Sequence, residues 1–209
     1  MHARLVEEPR RVPRQRRGEL RVAQLLRSAA AVIAESGYEA ATMSAIALRA
    51  DAPIGSLYQF FPNKEAVAQA LWAEYGNDYE SLLILLAAHA KHLSLHTLVG
   101  RLITLTVRFV ESHPAFLPLL DAPPSKKRRL VLRRTLRGRL ADCLAPLCPG
   151  LPRSTVLRLA AVSLQVLKGL NQLYAEAPRR GGQYVREYKV VLCSYLSARL
   201  EQGRRDVAG

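Results

Sequence analysis

Apolar residues recur along this chain at the three- and four-residue spacing of amphipathic helices, and no segment shows the alternation of a strand. The pattern therefore predicts an all-α protein with about nine helices. Prolines and glycines divide the chain into the predicted helical segments, and Gly181 and Gly182 are predicted to form a turn. The segments are residues 20–36, 42–50, 54–61, 64–91, 97–112, 115–122, 125–147, 154–177 and 184–202.

Residues 42–61 are predicted to form two short helices joined by a tight, proline-containing turn. Thr42 is a suitable N-cap for the first helix, and Asn63 can cap a long third helix that follows. Leu57 and Phe61 share one face of the second helix and are predicted core residues. Two short helices joined in this way describe a helix-turn-helix, whose second helix fits the major groove of DNA.

Other residues of this segment allow two interpretations each. Gly55 can bring a helix close to DNA, or it can let two helices of the protein approach each other. Tyr58 lies outside the core pair and can contact a phosphate. Lys64 falls in the first turn of its helix, where the helix dipole disfavours a cation. Either nearby phosphates or water would offset that cost.

The segment resembles the N-terminal domain of TetR-family (tetracycline-repressor-like) transcriptional regulators. The similarity covers about residues 20–75, and two departures fall in the turn, at Asp51 and Pro53. The loss of a hydroxyl at Pro53 removes one possible phosphate contact. The matching positions are Thr42, Ile46, Ala47, Gly55, Leu57, Tyr58, Phe61, Lys64 and Glu65.

The basic arm at 1–19 is predicted to be disordered, either as a solvated tail or with arginines that reach phosphates or an adjacent minor groove. The resemblance implies a DNA-binding domain at 20–66 and a helical effector-binding and dimerisation domain at 67–209. It implies double-stranded DNA with a palindromic operator as partner. Thr42, Tyr58 and Lys64 are expected at phosphates, and Ser44, Ser56 and Gln59 at base edges. The full set of expected DNA contacts is Thr42, Ser44, Ile54, Gly55, Ser56, Tyr58, Gln59 and Lys64, with Arg16 and Arg17 from the arm.

The net charge of +14 on 209 residues is unevenly placed. Residues 1–21 carry seven Arg against three Glu, whereas residues 22–65 have three basic residues and four acids. Attraction to DNA must therefore come largely from the arm. Eight basic residues and no acid lie between Lys126 and Arg139. They form either a solvated face or a binding face for an anionic effector, an acidic partner or additional DNA.

Several functional classes lack support in the sequence. No nucleophile elbow, phosphate loop or paired carboxylates indicate an enzyme, and Cys143, Cys148 and Cys193 lack metal-ligand spacing. No catalytic site, metal or cofactor is expected. The chain has no apolar run of membrane-spanning length and no apolar signal core, so a cytoplasmic protein without membrane contact is predicted.

Two broad apolar helices near the C-terminus indicate either an oligomer or a buried central helix in a monomer, and the resemblance implies a two-fold dimer through these helices. Leu164, Leu167, Val191 and Tyr195 represent the expected interface. The resemblance also implies an unknown small-molecule effector in the larger domain. Its candidate liners are Trp72, His96, Phe109, Phe116, Gln165, Asn171 and Tyr174.

The resulting hypothesis is a sequence-specific transcriptional regulator, most often a repressor in the family that it resembles, released from DNA by the effector. Two other functions stay open. One is a nonspecific architectural DNA-binding protein, which the basic composition allows, and the other is a small helical enzyme.

Overall fold

The computed structural model describes residues 14–121, 126–177 and 180–208, and side-chain environments within 17–119 and 130–203. Over these ranges the chain is helical and contains no strand, which confirms the predicted all-α class. Within the described ranges eight α-helices form where about nine helices were expected, because the part of the segment after α5 that is described forms a 3₁₀ turn, Pro118–Asp121. The helices are α1 (Arg14–Ala40), α2 (Met43–Arg49), α3 (Ile54–Phe60), α4 (Lys64–Ala90), α5 (Leu95–Ser112), α6 (Lys126–Leu144), α7 (Arg153–Glu176) and α8 (Gly181–Ala208).

Helix α1 is longer at both ends than its apolar pattern predicted. It begins at Arg14, so residues 14–19 are helical and not the disordered arm that was expected. Residues 1–13 lie outside the described part of the chain. Near its end, Gly37 has φ 80° and ψ 164°, a left-handed backbone that favours glycine, and it kinks the helix before α2.

Helix α4 connects the two domains. Asn63 caps its first turn as predicted, because the Asn63 side-chain oxygen accepts a hydrogen bond from the Ala66 N–H at 2.8 Å. Its 27 residues give a rod of about 40 Å. Gly76 is buried at a close approach, since an added Cβ would lie 2.6 Å from Leu132 Cδ1 of α6. Gly76 therefore lies at a contact between α4 and α6.

The predicted turn at Gly181 and Gly182 is also wrong, because both residues belong to the first turn of α8. Gly181 is buried against Tyr174 of α7, where an added Cβ would lie only 2.4 Å from the ring. Both glycines had suggested a chain reversal, but at Gly181 the missing side chain allows α7 and α8 to pack closely.

A single apolar core runs from α1 to α8 and joins the two domains. The 3₁₀ turn Pro118–Asp121 packs against α1, and α6 packs along α4. Among the described residues, no helix is long and apolar enough to cross a membrane.

Candidate nucleic-acid interface

Contacts close to the turn hold the helix-turn-helix together. The Thr42 hydroxyl oxygen accepts a hydrogen bond from the Ala45 N–H at 3.1 Å, which caps α2 as predicted. Asp51 has a left-handed backbone (φ 46°), which Asp tolerates better than most residues. The Gln24 amide of α1 donates to the Ala50 carbonyl at 2.8 Å and fixes the turn against α1. No sequence pattern had indicated this role of Gln24.

The outer face of α3 presents four of the ten predicted DNA contacts together, Ile54, Gly55, Tyr58 and Gln59. Leu57 is fully buried beneath the helix. On the other side, Ile54 is 43% exposed and Tyr58 is 49% exposed. Gln59 is exposed one turn after Gly55, so these two residues lie at the centre of the outer face.

Gly55 has open space around it, because an added Cβ would meet no heavy atom within 4 Å. The alternative that Gly55 lets two helices of the protein pack together is therefore wrong for the chain itself. The missing side chain leaves a shallow place on an exposed helix, where the backbone of α3 can come close to a ligand.

The start of α2 adds hydroxyl groups to this surface. Thr42 and Ser44 are exposed, and Ser56 on α3 is half-buried. The Thr42 oxygen accepts the cap hydrogen bond, so its own proton is free to donate to an outside acceptor. Leu48, one turn after Ser44, is 84% exposed and was not predicted as a contact. In the sequence, Leu48 falls off the apolar face of α2, and this position could have marked it as an exposed residue.

Lys64 is engaged within the protein and does not extend freely toward a ligand. Its ammonium group donates to the carbonyl oxygens of Tyr38 at 2.9 Å and Glu39 at 2.8 Å, and lies 4.6 Å from the Tyr38 ring centroid. The negative end of α1 therefore offsets the cost of a cation at the start of α4. This explanation differs from both predicted ones, phosphate and water. Burial raises the pKa of Tyr38, with added effects from Glu65 and Glu39.

The helix-turn-helix body offers few free cations. Arg49 forms an ion pair with Glu35 that ties α2 to α1. Arg17 is exposed on the first turns of α1, and the side chain of Arg16 lies outside the described ones. In the described residues Arg17 makes no ion pair, which leaves it available to a phosphate.

The predicted effector residues do not form one site. Trp72 and Phe116 pack edge to face, with ring centroids 5.7 Å apart. Phe109 stacks on His113 at 4.2 Å in the same aromatic cluster, which fills the joint between α4 and α5. Phe109 also borders an open groove between α5 and α8, together with His96.

The other three candidates lie away from the groove, on or near α7. Gln165 is exposed, and Asn171 is half-buried. The Tyr174 hydroxyl donates to Glu111 at 2.6 Å, and this hydrogen bond is the main reason for its raised pKa. These three residues therefore do not line the groove, and α7 keeps one side exposed.

The predicted dimer residues divide into buried and accessible ones. Leu167 is only 2% exposed within the single chain, so its assignment to an interface is corrected: it belongs to the core. Leu164 and Tyr195 are half-buried, and Val191 is 50% exposed. The exposed valines Val162 and Val190 extend the accessible apolar surface and were missed.

The basic stretch on α6 is only partly used by the fold. Arg139 donates to Glu80 at 2.8 Å and so ties α6 to α4. Arg133 and Arg137 are exposed on the same helix. The side chain of Arg129 on the same helix lies outside the described ones.

A small three-helix head with an exposed recognition helix, joined by α4 to a larger helical domain, is the architecture of a helix-turn-helix DNA-binding protein. Two family models match successive parts of the chain: bacterial regulatory proteins of the tetR family at residues 25–71, and the tetracyclin repressor-like C-terminal domain at residues 94–196. The chain belongs to the tetR family of bacterial regulatory proteins, which confirms the predicted resemblance.

Individual relatives agree with this assignment. The HTH-type transcriptional repressor KstR of Mycolicibacterium smegmatis is 35% identical over 81 residues, which span 38% of this chain and 40% of that protein. A TetR-family regulator from Streptomyces coelicolor superposes with a TM-score of 0.65 at 25% identity, over 85% of this chain and 98% of its own. SmeT of Stenotrophomonas maltophilia, in complex with triclosan, has a TM-score of 0.64 at 18% identity, over 86% and 91% respectively.

Proposed function

We propose that this chain is a sequence-specific DNA-binding repressor that acts as a homodimer on a palindromic operator. The observation that carries the proposal is the outer face of α3, where Gly55 and Gln59 are exposed above the buried Leu57. An amide beside an open backbone can read a base edge in the major groove. That KstR is a transcriptional repressor favours repression, and the family is one of regulators rather than of enzymes.

Dimerisation through α7 and α8 is part of the proposal. Val162 on α7 and Val191 on α8 leave apolar surface exposed on the two helices, with the half-buried Leu164 and Tyr195 beside it. Burying such a surface against its two-fold copy is favourable. A two-fold dimer presents two copies of α3, which suits two half-sites about one turn of DNA apart.

Release by a small molecule completes the proposed mechanism. SmeT was solved with triclosan, a small molecule, and shares the fold of this chain. Helix α4 begins beside the recognition helix and packs along α6 in the larger domain. A ligand that favours one position of α4 would change the separation of the two recognition helices and so weaken operator binding. A cytoplasmic location remains a prediction.

Selection of duplexes from a random pool, followed by footprinting, tests this function. The proposal expects a short palindromic consensus and symmetric protection, with sedimentation showing one dimer on each site. The basic composition instead supports a nonspecific architectural protein, which would retain all duplexes alike and give no consensus. A monomer that binds the palindrome as tightly as the full assembly would contradict the dimer.

A further inference from the structure

An open groove of about 990 Å³ lies between α5 and α8, on the outside of the larger domain. This volume is at the upper end of the range for sites of drug-sized ligands. Two contacts show that these helices run antiparallel. Cys193 Sγ of α8 lies 3.8 Å from His96 Nδ1 at the start of α5. Later in α5 and earlier in α8, an added Cβ on Gly100 would lie 3.4 Å from the Lys189 ammonium nitrogen.

Four cations border the groove, two from each helix. Arg101 and Arg108 are separated by seven residues, which places them on one side of α5 two turns apart. Arg186 and Lys189 are three residues apart on α8 and so share a side as well. Over the described part of the chain, none of the four makes an ion pair or a hydrogen bond to another residue.

Apolar groups form much of the remaining lining, chiefly Ile103, Leu105 and Phe109 from α5 and Val185 from α8, beside a histidine and three hydroxyl side chains. Phe109 reaches both the groove and the aromatic cluster at the joint of α4 and α5, where its ring centroid lies 5.0 Å from that of Tyr79. The groove therefore combines an apolar floor with cationic margins, and its lining touches the packing of α4.

We infer that this groove binds an amphipathic organic anion, with its apolar body on the floor and its acidic group among the four cations. Like charges without partners repel each other, and an anion relieves that repulsion while the apolar body leaves water. The role of this ligand as an effector rests on the proposed function, through the contact of Phe109 with the cluster beside α4.

The groove stays accessible in the proposed dimer. Lys189 borders the groove, and Val191 belongs to the proposed interface two residues later. Two residues of a helix correspond to about 200° of rotation, so these side chains point to nearly opposite sides of α8. Helix α7 packs against α8 as well, but no α7 residue lines the groove.

Calorimetric titration of the full chain without DNA tests the site. The probes are decanoate, decanol, decyltrimethylammonium and inorganic phosphate, each below any micelle-forming concentration. Decanoate is expected to bind, with decanol at least about tenfold weaker, because only the anion satisfies the cations. Equal affinity for decanoate and decanol, or tighter binding of the cationic probe, would overturn the inference. Equal binding of phosphate would show a bare anion site and contradict the role of the apolar floor.

Matched variants locate the site. Arg108→Ala and Lys189→Ala should each weaken decanoate about tenfold, while Arg133→Ala and Arg137→Ala on α6 should not. Unchanged affinity for decanoate in Arg108→Ala and Lys189→Ala would contradict the assignment of the binding site to the groove. A second readout, operator affinity with decanoate present, separates the two claims. Specific binding in the groove without DNA release supports the site and contradicts only release by this ligand.

Discussion

In the smaller domain, Arg49 pairs with Glu35 and Lys64 donates to two backbone carbonyls at the end of α1. In the larger domain, by contrast, Arg101 and Arg108 border a groove, and the described residues give them no partner. These two cations of the smaller domain thus stabilise the fold, whereas the two at the groove remain available. The recognition face of α3 itself is neutral, so we expect base reading from amide and hydroxyl groups and attraction from cations placed elsewhere.

The largest expected effect concerns the core beneath the recognition helix. Leu57→Ala should lower the free energy of unfolding by about 2–5 kcal/mol, because Leu57 is fully buried and its removal leaves a cavity. Leu48→Ala is the matched control, since Leu48 is 84% exposed and should change stability by less than about 0.5 kcal/mol. Urea unfolding measures both. Similar losses in the two variants would mean that the faces of the head domain are assigned wrongly.

A smaller effect separates a cation that supports the fold from one that contacts DNA. Lys64→Ala should cost about 1–3 kcal/mol of stability, because the charged hydrogen bonds to Tyr38 and Glu39 are lost. It should leave the salt dependence of DNA binding almost unchanged. Arg17→Ala should do the reverse. Its stability should stay the same, and the magnitude of the negative slope of log affinity against log salt should decrease by about 0.9.

Binding measured at several salt concentrations, together with urea unfolding, decides between these roles. A lowered salt slope in Lys64→Ala, with full stability, would restore the phosphate contact that the family resemblance implies. An unchanged slope in Arg17→Ala would remove the first turns of α1 from the DNA interface.

Much of the head domain was predictable because its signals are local. Thr42 and Asn63 cap the helices that follow them, and Leu57 falls in the core as the helical spacing required. The role of Lys64 was not predictable, because it depends on carbonyl groups 25 and 26 residues earlier in the chain. Gln24 is a second case, since its partner carbonyl at Ala50 lies across the turn.

The larger domain was predictable in its helices but not in its surfaces. Leu167 is apolar in an apolar helix, and periodicity alone did not distinguish the core from an interface between subunits. The groove joins α5 to α8, which are distant in sequence, and its cations follow no spacing shared by the two helices. Only the packing of α5 against α8 therefore shows which residues line the groove.

The smallest stability effect lies in the buried interior of the larger domain. The Thr106 hydroxyl donates to the Leu102 carbonyl at 2.8 Å, so the Tyr79 hydroxyl must be the donor in its 2.8 Å bond to Thr106. Tyr79→Phe should cost about 1 kcal/mol at pH 8. Burial raises the pKa of Tyr79 to about 12, against an ordinary value of 10.0.

The difference in stability between wild type and Tyr79→Phe depends on pH, and its direction follows from the sign of the pKa shift of Tyr79. A raised folded pKa means that the contribution of Tyr79 is complete below pH 10 and is lost as the pH rises toward 12. The gap between wild type and Tyr79→Phe should therefore narrow by about 1 kcal/mol between pH 8 and pH 11. Urea unfolding at both values measures it, and a constant gap would contradict a buried, protonated tyrosine.

Base preference of Gln59→Ala tests the central claim most directly. Gln59 is exposed on the outer face of α3 and supports no packing, so the variant should fold as the wild type does. Against single-base variants of the selected operator, it should lose about 1–3 kcal/mol of discrimination at one position in each half-site. Gln183→Ala, an exposed glutamine on α8, should keep the full preference. Identical preferences in the wild type and Gln59→Ala would contradict the assignment of α3 as the helix that reads the operator.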